Sequence, residues 1–127
     1  MNNMKKILLI LIVMFLITGC GSDTEKVKVM EINKTDAVTK MEDGAILIDV
    51  RSSQEYNEKH IDGAININVE DILNTDGALV YDNSEIGFNK TIIVYCRSGS
   101  RSNTAANKLI ELGYTNVYDL GSINNWN

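Results

Sequence analysis

A chain of 127 residues with 12 Lys and Arg against 17 Asp and Glu carries a formal charge of −5 at pH 7. That balance excludes binding to nucleic acid by phosphate neutralisation, and the length allows one compact domain at most. Proline is absent, so turns depend on Gly, Asn and Asp.

The chain opens with a processing signal. Lys5 and Lys6 precede a continuous apolar run, Ile7 to Ile17, and "TGC" follows at Thr18 to Cys20. A charged segment, an apolar segment and a small-residue site in this order read as a signal peptide over 1–19. The run is short for a membrane span. It is apolar on every face and follows lysines, unlike a buried helix. "LITGC", Leu16 to Cys20, resembles the lipobox of bacterial lipoproteins. The resemblance implies that Cys20 is diacylated and becomes the new N-terminus, and two acyl chains suffice for stable anchoring. The expected location is the bacterial cell envelope, on the extracytoplasmic side of the membrane. Residues 20–26, polar and containing Gly and Ser, then form a tether. The folded domain spans 27–127, with the charge lowered to −7 by loss of the two lysines. An acidic domain gains nothing from anionic headgroups, so the lipid alone must hold it.

Within the domain, "VKVMEI" (Val27 to Ile32), "AILIDV" (Ala45 to Val50), "TIIVY" (Thr91 to Tyr95) and "TNVYDL" (Thr115 to Leu120) read as strands, and "GAINI" (Gly63 to Ile67) adds a short one. The second and third are continuously apolar, the habit of strands covered on both faces. Helices are expected between them: Lys34 to Met41 with Thr35 as N-cap, Ser52 to Lys59 with acidic residues early and lysine late, Val69 to Asn74, and Ser100 to Leu112. The last has an apolar face of Ala105, Ala106, Leu109, Ile110 and Leu112 and stops at Gly113. Alternation of this kind predicts an α/β domain with a mainly parallel central sheet flanked by helices.

Two strands end in chemistry. "AILID" delivers Asp49 and Arg51, and "TIIVY" delivers Cys96. Ligands of open α/β sheets bind outside the carboxyl ends of the strands, so both groups should face one crevice. Once Cys20 is lipidated, Cys96 stands alone, with no disulfide partner and no zinc-site spacing. A lone thiol outside the cytoplasm is exposed to oxidation, which favours a chemical use. In "VYCRSGSRS", Val94 to Ser102, Gly99 permits the positive φ of a tight curl. The N–H groups of such a curl form an anion nest, and the following helix adds its positive end. Arg97 and Arg101 add full charges. Together they favour thiolate, the nucleophilic form. A buried cysteine before an ordinary turn is the plainer alternative.

Elsewhere, Asp49, Arg51 and Glu55 are expected to brace the loop as an ion-pair set and not to relay charge. Trp126 and the five tyrosines read as core or rim, and Glu70, Asp71, Asp76, Asp82 and Glu85 as a solvated surface whose spacing fits no metal loop. No metal or organic cofactor is expected.

"VYCRSGSRS", "LIDVRSSQEYNEKHIDGAINI" (Leu47 to Ile67) and "LIELGYTNVYDLGSINNW" (Leu109 to Trp126) resemble the signature segments of single-domain rhodanese-like sulfurtransferases. The resemblance implies the rhodanese fold and a persulfide on Cys96, with Arg97, Ser98, Gly99, Ser100 and Arg101 surrounding the outer sulfur. It implies a small anionic donor such as thiosulfate and a thiol or cyanide acceptor. It gives His60 a hydrogen-bonded structural role, in place of the general base its chemistry would allow. Cys96 to Arg101 is C-x4-R. Related phosphatases and arsenate reductases use C-x5-R, a larger ring for a tetrahedral oxyanion, and their chemistry is an alternative reading. A persulfide carrier or partner-binding module is another. Lys59 and Asp62 replace the glycine and proline usual around the His60 segment, and Ser122 stands where a second glycine often follows Gly121.

Overall fold

A computed structural model describes residues 26–127; the expected signal segment, the lipobox-like motif with Cys20 and nearly all of the expected tether lie outside the described residues. The central sheet has five strands: β1 (Met30–Glu31), β2 (Ile46–Asp49), β3 (Ile65–Asn66), β6 (Thr91–Cys96) and β7 (Asn116–Ser122). They run in the order β1-β7-β6-β2-β3, and every pair is parallel. Parallel neighbours need crossovers, which the helices supply: α1 (Lys34–Glu42), α2 (Ser53–Glu58), α3 (Val69–Leu73) and α4 (Ser100–Leu112).

Alternation along the strands sorts the core into two layers. Ile92, Val94 and Cys96 join Val69, Ile72, Ala105, Ala106 and Leu109 on the face covered by α3 and α4. Ile93 and Tyr95 join Leu47, Ala37 and Ile61 on the face covered by α1 and α2, with Met41 and Tyr56 packed against them. The domain is therefore the expected three-layer α/β structure. The chain leaves β2 for β3 on one side and, through β6, for β7 on the other. The crevice at this divergence opens between the carboxyl ends of β2 and β6, where Asp49 aligns with Tyr95.

Local chemistry departs from expectation at several places. Asn33, and not Thr35, caps α1: its side chain accepts the Asp36 N–H at 2.9 Å. Asparagine is a strong N-cap, and its use starts the helix early enough to take Thr35 inside. Ser52 caps α2 through a reciprocal capping box with Glu55, and Lys59 falls just beyond the last turn. β1 keeps two residues of the expected six, because it is an edge strand with β7 as its one neighbour. A hairpin of β4 (Val80–Tyr81) and β5 (Ser84–Glu85) turns through Asp82 and Asn83 at φ 50° and 61°. Two positive values suit a tight two-residue hairpin turn; the Asp-Asn pair was its signal in the sequence. β7 bulges at Leu120, since Val94 pairs with Asp119 and Tyr95 with Gly121. A 3-10 turn, Ile123–Trp126, ends the fold and is started by Ser122, whose hydroxyl accepts the Asn124 N–H.

Candidate active site

Cys96 is the last residue of β6, and Ser100 the first of α4. The three residues between must reverse the chain, and Gly99 does so at φ 103°. No side chain caps α4, so its first N–H groups stay available. The Gly99 N–H donates to Cys96 Sγ at 3.0 Å. Burial pushes the Cys96 thiol up; the Ser102 hydroxyl and the N–H groups of Ser102, Gly99 and Ser98 outweigh it, so the thiol lies below its ordinary value. Donors aimed at a sulfur stabilise its charged form. Cys96 itself is 0 % exposed, covered by the loop, whereas Arg97, Ser98 and Ser100 are exposed.

Arg101 closes the loop from within the first turn of α4. Its guanidinium donates to both oxygens of Glu55, at 2.7 and 3.0 Å. Glu55 Oε1 also accepts the Ser52 hydroxyl at 3.1 Å and the Ser52 N–H at 3.3 Å. Arg101 first, and Ser52 after it, hold the Glu55 carboxyl down at about 2. Thus the cap of α2 is tied to the cysteine loop through one bidentate pair. The Arg101 charge also faces Cys96.

Asp49 and Arg51 belong to a separate network on the other face of the sheet. Arg51 Nη2 donates to Asp49 Oδ2 at 2.7 Å and to the Lys59 carbonyl at 2.6 Å. Asp49 Oδ2 also accepts from the Tyr95 hydroxyl at 2.8 Å, and Tyr95 in turn accepts the Ile61 N–H at 3.1 Å. The hydrogen bond to Asp49 raises the Arg51 pKa, and burial raises that of Tyr95. This network fixes the Lys59–Ile61 segment. Of the three residues expected to act as one set, only Glu55 touches the cysteine loop. His60 is exposed, with Nδ1 2.7 Å from the Tyr56 carbonyl and its ring stacked on Tyr56 at 3.8 Å.

Beside the loop lies a cleft of about 360 Å³ lined by Arg97, Arg51, Lys59, Glu55, Glu58 and Asn124, among others. The Ser122 hydroxyl donates to the carbonyl of Arg97, one of the lining residues, at 2.7 Å. Among the described residues no group of His, Cys, Asp and Glu could hold a metal ion. Sequence reasoning missed Ser102, Tyr95 and Ser122 as parts of the site. Ser102 left one signal, a small hydroxyl in the first turn of a helix that follows a cysteine. The other two depend on contacts between distant segments.

Residues 33–127 match the Rhodanese-like domain family. Thiosulfate sulfurtransferase PspE of Escherichia coli K12 is 37% identical over 76 residues, which cover 60% of this chain and 68% of that protein. Thiosulfate sulfurtransferase GlpE of Haemophilus influenzae Rd is 31% identical over 97 residues, 76% of this chain and 86% of that one. The human single-domain sulfurtransferase TSTD1 shares the fold with a TM-score of 0.69 at 23% identity, over 78% of this chain and 96% of its own. The similarity thus runs from Asn33 to the last residue and takes in both strands of the crevice, the cysteine loop and α4; the chain belongs to the rhodanese-like domain family.

Proposed function

We propose that the protein is a sulfurtransferase that moves a sulfane sulfur from a donor such as thiosulfate to a thiol or cyanide acceptor through a persulfide on Cys96. The observation that carries the reading is the uncapped start of α4, whose N–H groups meet at Cys96 Sγ. The Cys96 thiolate attacks the sulfane sulfur of the donor. The bond between that sulfur and the sulfonate sulfur breaks, and sulfite leaves with the electron pair. The outer sulfur of the persulfide then carries the negative charge, held by fixed N–H dipoles that need no rearrangement. An acceptor nucleophile attacks it and returns Cys96 as thiolate.

The exposed cations of the rim, Arg97 and Lys59, would draw an anionic donor to an otherwise acidic domain. Complete cover of Cys96 means the loop must yield locally to admit it. That cover also favours a second reading, a persulfide carrier whose sulfur is shielded until a protein partner opens the loop. We further propose that Cys20 carries the lipid that holds the domain at the extracytoplasmic face of the membrane.

The test is intact mass. Thiosulfate should add one sulfur, about 32 mass units, removable by dithiothreitol, and Cys96→Ser should neither gain it nor transfer sulfur to cyanide. Transfer by the Cys96→Ser protein would overturn the assignment. Steady-state turnover separates enzyme from carrier.

A further inference from the structure

Among the described residues, the large apolar side chains left exposed are Val27, Met30, Leu73, Val80, Tyr81 and Phe88. None of them lies in the segments that follow directly on β2, β6 and β7, where the cysteine loop and its cleft stand. The central sheet is parallel throughout, so its other end collects the starts of the strands. Phe88 precedes β6 and packs on Tyr114, which precedes β7, with ring centroids 4.9 Å apart. The Tyr114 hydroxyl accepts the Leu79 N–H at 2.8 Å and donates to the Ile86 carbonyl at 2.6 Å. These two bonds tie the β4–β5 hairpin, which carries Val80 and Tyr81, to the same amino end. Val27, Met30, Lys26 and Lys28 line one hollow with Thr115, which also precedes β7. Single exposed apolar residues are ordinary; a group of them at one end marks a surface that meets something.

The chain outside the described residues says what that is. Met30 pairs with Tyr118, and Cys96 with Ser122. Val27 therefore stands level with the start of β6, about 20 Å from Cys96 along the strands. The stretch from Cys20 to Lys26 spans at most about 22 Å when fully extended. A bilayer against the cysteine loop would use up that whole length. One against the amino end needs little of it. Lys26, Lys28 and Lys90 border this end, and Glu31, Asp82 and Glu85 offset them. Charge therefore does not select the surface; apolar contact and the short tether do. Aromatic and aliphatic side chains of this kind suit the boundary between headgroups and acyl chains.

We propose that the amino end of the sheet, with Val27, Val80, Tyr81 and Phe88, rests on the lipid bilayer and turns the Cys96 loop toward water. This rests on Cys20 carrying the lipid. The acyl chains hold the domain, and the apolar end fixes its tilt. Donor and acceptor then reach Cys96 from the aqueous side, and the rim cations Arg97 and Lys59 stay clear of the headgroups.

The single tryptophan, Trp126, lies in the 3-10 turn beyond β7, beside the cleft residues Ile123 and Asn124, and so reports on the far end. The full acylated chain is placed in phosphatidylcholine vesicles with plain or brominated acyl chains, and tryptophan emission is compared. Trp126 of the natural protein should keep its emission. Phe88→Trp in a Trp126→Phe background should lose emission to the brominated lipid and emit further to the blue. Val80→Trp in the same background should do likewise; it changes an exposed hairpin residue and serves if the Phe88 variant does not fold. Quenching at either position, with Trp126 unquenched, supports the orientation. Both positions unquenched, as they would be under a second copy of the chain or a soluble protein, overturns it, and so does quenching of Trp126. Intact mass separates the two readings. A chain without the acyl mass overturns the anchor and the orientation together, whereas an acylated chain with the wrong quenching overturns the orientation alone.

Discussion

Glu55→Gln should loosen the tie between α2 and the cysteine loop by an amount that disappears in acid. Glu55 has both oxygens on Arg101 and is held at about 2, against an ordinary 4.5. Taken at face value, that difference corresponds to about 3 kcal/mol. Arg101 and Glu55 side chains are 37% and 27% exposed, and solvent screening reduces the figure to about 1 kcal/mol. A group with a depressed folded pKa stabilises above its unfolded value. Its contribution is lost as pH falls through the folded value, here between 4.5 and about 2. Urea unfolding of the two proteins at neutral pH should differ by about 1 kcal/mol, or roughly 4 °C in Tm, and the gap should narrow across that acid window. Arg101→Lys should recover only part of it, because an ammonium cannot form the bidentate pair. A gap that stays constant down to the lowest pH would refute the reasoning, since it would then not arise from the ionised carboxylate.

Asp49→Asn should be more severe. It leaves the Arg51 guanidinium, 7% exposed, without its carboxylate, and breaking one side of a buried pair destabilises by about 3–5 kcal/mol; a large drop in the urea midpoint is the check. Cys20→Ser should abolish incorporation of labelled fatty acid and leave the apolar run uncleaved, read by mass; unchanged acyl labelling would remove Cys20 from the anchor. Aryl phosphates should not turn over on the natural loop, measured as chromophore release, because the C-x4-R ring presents one N–H fewer than a C-x5-R ring. Inserting one glycine after Ser98 should impair sulfur transfer, and unimpaired transfer would remove ring size from the argument.

Whatever depends on neighbours along the chain was legible in the residues themselves. The continuous apolar runs Ala45 to Val50 and Thr91 to Tyr95 announced parallel strands buried on both faces, and the structure has both, as Ile46–Asp49 and Thr91–Cys96. Gly113 ended α4 where expected, at φ 116°. Gly99 and the helix behind it implied a nest of N–H groups, because a strand that runs into a helix within three residues has few ways to turn. Tertiary structure alone decided which charges meet. Arg101 stands 46 positions from Glu55, and the Tyr95 hydroxyl 46 from the Asp49 carboxyl it bonds. Their pairing follows from the alignment of β2 with β6 and from where the capping box sets α2. Asp119 gave no local signal, for it reads as an ordinary residue of "TNVYDL". Its place on the α4 side of the sheet exists because β7 lies beside β6 in one register, and a shift of one residue would have turned it to the opposite layer.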